Sequence, residues 1–203
     1  MASSVSRSHL ALSGLWVVLI GIGMAVMGRY ENTPGPVAET PAHWPRTTSL
    51  SLSRDRYTAI VFVHPRCSCT QATLAELQVL MTRAQARLQT TVVAVVPANP
   101  DRAWTSSSLA QEAATISGVT VQMDRGGLEA RRFAALTSGF SVVYDPRGEL
   151  RFAGGITGAR GLAGENPGLA AMEDLVEQNR AGRSKASVFG CELHDPPTRQ
   201  AKK

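Results

Sequence analysis

The chain has 203 residues, 43% of them hydrophobic and 18% charged, which is enough to bury one full core. Its net charge of +5 comes from basic residues interleaved with acidic ones, except for a short basic run at the end (Arg199, Lys202 and Lys203). This pattern argues against a nucleic-acid partner. Three cysteines are too few for a disulfide-built scaffold, so they indicate a reactive site instead.

Near the start of the chain, residues 10–27 form an uncharged apolar run, LALSGLWVVLIGIGMAVM, after a short segment at 1–9. A run of about 18 such residues is long enough to span a bilayer, and we predict a transmembrane helix or signal anchor. A cleaved signal peptide is the alternative, although Ala25-Val26-Met27 is a poor cleavage site. We therefore expect a single-pass inner-membrane protein whose soluble domain is extracytoplasmic, in the periplasm.

The remainder divides into three parts by composition. Residues 28–48 are proline-rich and without apolar periodicity, which predicts a semi-extended linker. Residues 49–182 hold the apolar periodic segments and are the predicted folded domain. Residues 183–203 form a polar tail that contains the third cysteine, Cys191.

The first half of this domain predicts a strand, a helix and a strand. The run Tyr57–Val63 is continuously apolar and rich in β-branched residues, as in a strand covered on both faces. Apolar residues then recur every three or four positions and predict an amphipathic helix (Leu74, Leu77, Leu80, Met81, Ala84 and Leu88). A second buried strand follows at Thr91–Val96, so the three elements predict a right-handed parallel crossover.

The second half predicts smaller elements around a hairpin. Asp145-Pro146-Arg147-Gly148 is a type I turn signature that joins two strands. The predicted elements are a helix at Ser106–Ile116, a strand at Val119–Met123, a helix at Gly127–Leu136, hairpin strands at Phe140–Tyr144 and Leu150–Phe152, and a last helix at Pro167–Gln178. This order predicts an α/β fold, a mixed sheet with helices on its faces.

The residues that best fit a chemical role lie between the first strand and the following helix. They are His64, Pro65, Arg66, Cys67, Ser68, Cys69 and Thr70. Ser68 and Gln71 have the spacing of a capping box, which predicts Cys69 in the first helical turn and Cys67 just outside it. The helix dipole and a nearby cation, Arg66, would there stabilise a thiolate, so we predict two water-exposed thiols with a lowered pKa.

Two other interpretations of these cysteines remain open. They could be small apolar fillers of the core, although an exposed turn is a poor place for this. They could also bind copper(I) or zinc together with His64, since two sulfurs and an imidazole suit a soft metal. The Cys-x-Cys spacing is shorter than in ordinary zinc sites. We therefore expect no cofactor, with copper at Cys67, Cys69 and His64 as the alternative.

These features resemble a known family. A buried strand, a cysteine-bearing turn, an amphipathic helix and a VVYDPRGEL hairpin resemble the thioredoxin-like fold of membrane-tethered oxidoreductases, over about residues 49–179. More closely, the segments HPRCSCT, TSGFSVVYD, FAGGITGARGLAGEN and VFGCEL are similar to RedB-type thioredoxin-like proteins of bacteria. The resemblance implies a thiol–disulfide redox protein whose partners are protein thiols or a redox partner.

The resemblance also implies roles for single residues. Cys67 takes the place of the attacking cysteine, and Thr70 stands where a CxxC motif has its second cysteine. Cys69 would resolve a mixed disulfide instead, through a tight and easily reduced ring. Ser138 and Gly139 precede the Phe140 strand, where thioredoxins carry the cis-proline that faces the thiols.

Two further segments could contribute to a functional site. Glycine-rich residues 154–161 could form a loop site at Gly154, Gly155, Thr157 and Arg160, although a structural loop beside the cysteines is the favoured interpretation. Cys191 lies in a small apolar island, VFGCEL, within the polar tail. If the tail folds back, this third thiol could pair with Cys67 or Cys69, complete a metal site, or remain an unpaired plug.

Overall fold

The computed structural model describes residues 7–101, 104, 107–178 and 182–193. The chain divides into two compact units, residues 1–33 and residues 34–203. The first unit contains helix α1 (Arg7–Glu31), whose most apolar stretch has a mean hydropathy of 2.3; residues 9–31 are long and apolar enough to cross a membrane. The C-terminal basic run and Ser106 lie outside the described residues.

The second unit is built on a five-stranded mixed sheet in the order β3-β2-β1-β4-β5. The strands are β1 (Tyr57–Val63), β2 (Leu88–Val96), β3 (Val119–Arg125), β4 (Phe140–Tyr144) and β5 (Leu150–Gly154). β1, β2 and β3 run parallel, whereas β4 pairs antiparallel with both β1 and β5. The predicted parallel crossover and the predicted hairpin are therefore both confirmed.

Helices cover both faces of this sheet. They are α2 (Cys69–Ala84), followed by a single 3₁₀ turn (Gln85–Arg87), α3 (Ser108–Thr115), α4 (Leu128–Arg132) and α5 (Pro167–Gln178). Because side chains alternate along a strand, β1 supplies two cores: Val61 packs with α2 and α5 residues, and Phe62 packs with Phe133 on the opposite face. The predicted mixed sheet with helices on its faces is confirmed, and β1 lies at its centre.

Several element bounds differ from the predicted ones. The helix after the cysteines ends at Ala84, and β2 begins at Leu88 rather than Thr91. The helix predicted at 127–136 ends at Arg132, because Ala134 adopts a positive φ of 56°, which a helix does not tolerate. α3 begins at Ser108, where the Ser107 side chain accepts a hydrogen bond from the Ala110 amide and caps the helix.

Part of the predicted linker packs on the sheet. Trp44 contacts the rings of Phe133 and Tyr144 edge to face, at centroid distances of 5.3 Å in both cases. The Tyr144 hydroxyl donates a hydrogen bond to the Pro41 carbonyl at 2.8 Å, and burial raises its pKa. These contacts lie within the compact unit, which begins at residue 34, whereas the predicted domain begins at residue 49.

The described part of the tail, residues 182–193, also packs on the domain. The amide of Ala153 in β5 donates to the Ser184 carbonyl at 2.9 Å, and Lys185 forms a parallel bridge with Ala153. Val188 and Leu193 are buried in the same core as Phe62. The folded part of the chain therefore continues past the predicted boundary at residue 182.

Candidate functional site

Both neighbouring cysteines lie where β1 ends and α2 begins. The Cys67 amide donates to the His64 carbonyl at 3.0 Å, and the Thr70 amide donates to the Cys67 carbonyl at 3.0 Å. Cys69 is the first residue of α2, as predicted. The predicted capping box is wrong, because Ser68 already has helical backbone angles (φ −58°, ψ −30°) and its side chain makes no capping bond.

The two thiols are more buried than the sequence suggested. Cys67 is 2% exposed and Cys69 is 9% exposed, so the prediction of water-exposed thiols is wrong. The reason is the tail, which folds back and brings Cys191 onto them. The three Sγ atoms lie within 4.8 Å of one another, and Cys191 is the most exposed of the three residues.

The sequence left open whether the tail folds back; it does so, and this changes the set of residues that could hold a metal. Among the described residues, the cluster of potential ligands consists of Cys67, Cys69 and Cys191. His64 is not part of it: its Nδ1 accepts a hydrogen bond from the Arg66 amide, and its ring contacts Trp104 at a centroid distance of 5.3 Å.

The surroundings favour a thiolate at Cys67 over the other two sulfurs. Burial acts to raise the pKa of Cys67, but hydrogen bonds from the Cys191 thiol and from the Cys191 and Cys69 amides outweigh it, so the pKa is lowered. Burial and the charge of Cys67 raise the pKa of Cys69. Burial and the hydrogen bond to Cys67 raise the pKa of Cys191 to about 12. Cys67 is therefore the sulfur that ionises first.

The cation that acts on the sulfurs is not the one predicted from the sequence. Arg66 lies over the Trp104 ring, 5.1 Å from its centroid. Arg160 is the positive charge that opposes the raised pKa values of Cys69 and Cys191, and its Nη1 donates a hydrogen bond to the Gly190 carbonyl. Arg160 thus holds the tail and faces the sulfurs from the glycine-rich loop.

Thr70 and Ser138 form one hydrogen-bonded group with the His64 backbone. The Thr70 hydroxyl donates to the His64 carbonyl and lies 3.0 Å from the Ser138 hydroxyl oxygen. The Ser138 hydroxyl in turn accepts a bond from the His64 amide at 2.9 Å. Gly139 has a φ of 89°, and its amide donates to Phe62. These residues fix the turn that carries Cys67.

The glycine-rich loop serves close packing. A side chain on Gly154 or Gly155 would lie 2.6–2.7 Å from backbone atoms of Ala186 or Ser187. A side chain on Gly168 at the start of α5 would meet the Gly155 carbonyl oxygen at 1.9 Å. The close approach of these backbone segments supports the interpretation as a structural loop.

No protein-family profile matches the chain, and no curated protein does. Among solved structures, an uncharacterized conserved protein from Geobacillus kaustophilus has a TM-score of 0.57 at 14% identity, covering 82% of this chain and 94% of that one. A hypothetical protein from Sinorhizobium meliloti 1021 has a TM-score of 0.56 at 18% identity, covering 79% and 93%. A secreted Mycobacterium tuberculosis disulfide oxidoreductase homologous to E. coli DsbE has a TM-score of 0.43 at 13% identity, covering 62% and 83%.

The strand order settles the fold class: three parallel strands continue into an antiparallel hairpin, and the cysteine turn follows the central strand. The chain has a thioredoxin-like fold. Sequence reasoning missed Trp104, whose ring lies beside His64 and which no local pattern indicated. It named Arg160 as a candidate residue of the glycine-rich loop, but not as the cation that acts on the sulfurs.

The three thiols are expected to ionise in separate pH ranges. A spectroscopic titration of thiolate absorbance in the reduced protein should show a first step at a pH below the ordinary pKa of a cysteine thiol, from Cys67. This step should be absent in a Cys67→Ser variant and kept in a Cys191→Ala variant, although at a higher pH because a hydrogen-bond donor is lost. A first step that survives Cys67→Ser would contradict this assignment.

The raised pKa of Cys191 also predicts a change in stability with pH. A thiol that stays protonated in the folded state contributes stability below its unfolded pKa of about 8.5, and this contribution is lost as the pH rises toward 12. The free energy of unfolding should therefore fall over this alkaline range, measured by denaturant titration. Cys191→Ser should reduce this loss of unfolding free energy. An unchanged dependence on pH in that variant would exclude Cys191 as the cause.

Proposed function

We propose that this chain is a thiol–disulfide redox protein in which Cys67 is the attacking sulfur. The observation that carries the proposal is the cluster of three sulfurs within 4.8 Å at the N-terminus of α2, on a thioredoxin-like sheet. Amide and thiol donors around Cys67 favour its thiolate form, which is the nucleophile in disulfide exchange. A second sulfur of the cluster closes the disulfide, and the sequence prediction assigns this role to Cys69.

The reaction is an exchange of sulfur–sulfur bonds. Cys67 attacks a disulfide of a partner, forms a mixed disulfide with one partner sulfur and releases the other as a thiolate. A neighbouring thiol of the cluster then attacks Cys67 and releases the partner in its reduced form. The direction of net electron flow follows from the reduction potential of the partner relative to that of this site.

Reduced full-length protein treated with glutathione disulfide tests this function. We expect glutathione on Cys67 or an intramolecular disulfide that includes Cys67, mapped by mass spectrometry of peptides. Protein isolated under native conditions should show the same linkages. Modification confined to Cys191, with Cys67 unreacted in folded protein, would contradict the proposal.

We further propose that the protein is a RedB-type, single-pass inner-membrane protein with its thioredoxin-like domain in the periplasm. The apolar helix α1 and the sequence similarity of four segments to RedB-type proteins support this placement. A folded domain outside the cytoplasm would reside where disulfides persist.

Two experiments test this placement. Extraction with alkaline carbonate should leave the protein in the membrane fraction, and protease added to spheroplasts should digest the domain. Release of the full chain by carbonate would contradict anchoring.

The same sulfurs support a second candidate function, copper(I) binding or delivery. Three cysteine sulfurs suit copper(I) better than zinc, which prefers four ligands. Titration of reduced protein with copper(I) in competition with a chelator should then give one tight copper per chain. Cys191→Ser should weaken it, whereas His64→Ala should not, because His64 lies outside the cluster. A loss of affinity in His64→Ala but not in Cys191→Ser would favour the ligand set predicted from the sequence.

A further inference from the structure

Residues 188–193 pair with the backbone just before β4. The Ser138 amide donates to the Cys191 carbonyl at 2.7 Å, and the Leu193 amide donates to the Leu136 carbonyl at 2.8 Å. Between them, Thr137 and Glu192 form an antiparallel bridge. The segment is therefore held as a short added strand, and such backbone pairing can be made by any extended polypeptide.

The pairing places three side-chain positions in defined surroundings. Cys191 faces the Cys67 sulfur. A side chain on Gly190 would lie 2.0 Å from the Ser138 carbonyl oxygen, so this position accepts only glycine. Leu193 is buried and lines a cavity of about 320 Å³ that also contains His64 and Trp104 in its wall. Together these positions define a sequence pattern for the segment: glycine, cysteine, any residue, and an apolar residue.

We propose that Cys67 reacts with a cysteine in an extended partner segment that has this pattern. Residues 188–193 are the chain's own copy of such a segment, and Cys191 in this copy releases the partner from Cys67. The proposal rests on the thiol–disulfide exchange proposed above. The partner segment and residues 188–193 pair with the same backbone groups at 136–138. The two therefore occupy the site in turn.

The steps balance as follows. The Cys67 thiolate attacks the partner cysteine in a disulfide; the Cys67–partner bond forms, and the second partner sulfur leaves as a thiolate that takes a proton from water. Residues 188–193 then return, and the Cys191 sulfur attacks Cys67; the Cys67–Cys191 bond forms, the Cys67–partner bond breaks, and the Cys191 proton goes to the departing thiolate. The partner disulfide gains two electrons, and Cys67 and Cys191 lose two.

Cys191 is better placed for this second step than Cys69. A disulfide between Cys67 and Cys69 closes a tight ring within one turn of chain, whereas Cys191 approaches from a separate segment. Burial, the hydrogen bond to Cys67 and the charge of Cys67 all raise the pKa of Cys191. Once Cys67 is bound to a partner it carries no charge, so two of these three causes disappear when Cys191 has to attack.

A peptide assay on reduced full-length protein tests the partner pattern. The probe is the disulfide-linked dimer of Val-Phe-Gly-Cys-Glu-Leu, and the measured quantity is the rate of peptide thiol release. Matched dimers carry valine in place of glycine, or lysine in place of leucine, and we expect each to react at least about tenfold more slowly. Reduction of all three by dithiothreitol at one rate establishes equal intrinsic reactivity.

The outcomes separate the two proposals. Equal rates for the three peptides with the protein would overturn the partner pattern while leaving disulfide exchange in place. Reaction with glutathione disulfide but with none of the peptides would do the same. Absence of reaction with any disulfide would overturn the proposed function together with this inference.

Two serine variants test the role of Cys191. Cys69→Ser should release both peptides and end as a Cys67–Cys191 disulfide, identified by mass spectrometry. In the Cys191→Ser variant the reaction should stop with one peptide attached to Cys67. The circular dichroism of this variant should match that of the parent protein. A Cys191→Ser protein that releases both peptides, beside a Cys69→Ser protein that retains one, would overturn the assignment.

Discussion

Replacing Cys67 with serine is expected to lower the rate of disulfide exchange by at least about a thousandfold, because a hydroxyl is a far weaker nucleophile than a thiolate at neutral pH. Serine fits the same space and can accept the hydrogen bonds that Cys67 receives from Cys191 and from the Cys69 amide. The fold should therefore persist. The measurement is the rate of glutathione disulfide reduction by reduced protein, with circular dichroism as the check on folding.

The matched control is Cys69→Ser, which removes a sulfur from the same cluster. Burial and the nearby charge of Cys67 raise the pKa of Cys69, so it contributes little thiolate. This variant should keep the first step of exchange within about threefold of the parent rate. A Cys67→Ser protein that reacts as fast as Cys69→Ser would remove Cys67 from the attacking role.

The second large effect is expected at Gly168, where α5 begins. The Asn166 side-chain oxygen accepts hydrogen bonds from the Gly168 and Leu169 amides, at 3.1 and 2.9 Å, and so holds the helix start against the Gly155 carbonyl. Gly168→Ala would place a methyl group 1.9 Å from that oxygen. We expect a loss of about 3 kcal/mol in the free energy of unfolding, measured by urea titration.

Gly158→Ala serves as the control for the glycine-rich loop. A side chain there meets only the Asn166 Cβ at 3.7 Å, an ordinary contact, and the residue is exposed. The expected change is within about 0.5 kcal/mol. Equal losses in the two variants would show that the loop does not depend on the approach of Gly168 to Gly155.

Local patterns in the sequence were sufficient for the main elements. The β-branched run predicted β1 from Tyr57 to Val63, and the proline start of α5 predicted Pro167–Gln178, both with the bounds that the structure shows. They were insufficient at Ala134, whose left-handed backbone ends α4 without a glycine to signal it. Helix ends that depend on a single backbone angle are not encoded by periodicity.

Only part of the site could be predicted, because only part of it depends on local sequence patterns. The position of Cys67 and Cys69 followed from the strand and helix around them, which are local features. The pairing of Cys191 with Ser138 joins distant parts of the chain through backbone groups, which carry no residue signature. That pairing buries the thiols and replaces His64 by Cys191 in the cluster, so the errors about exposure and ligands share one cause.

The residues that precede the sheet have a practical consequence for work on a soluble version. The Gly35 amide donates to the Val188 carbonyl at 2.8 Å, and the Thr137 hydroxyl donates to the Pro36 carbonyl at 2.8 Å. Both bonds reach residues that flank the pairing of Cys191. A protein shortened to begin at residue 49 would lose both hydrogen bonds and the Trp44 ring. Cys191 would then be held less firmly, and the measured redox behaviour would differ from that of the native site. Expression from residue 34 keeps these supports.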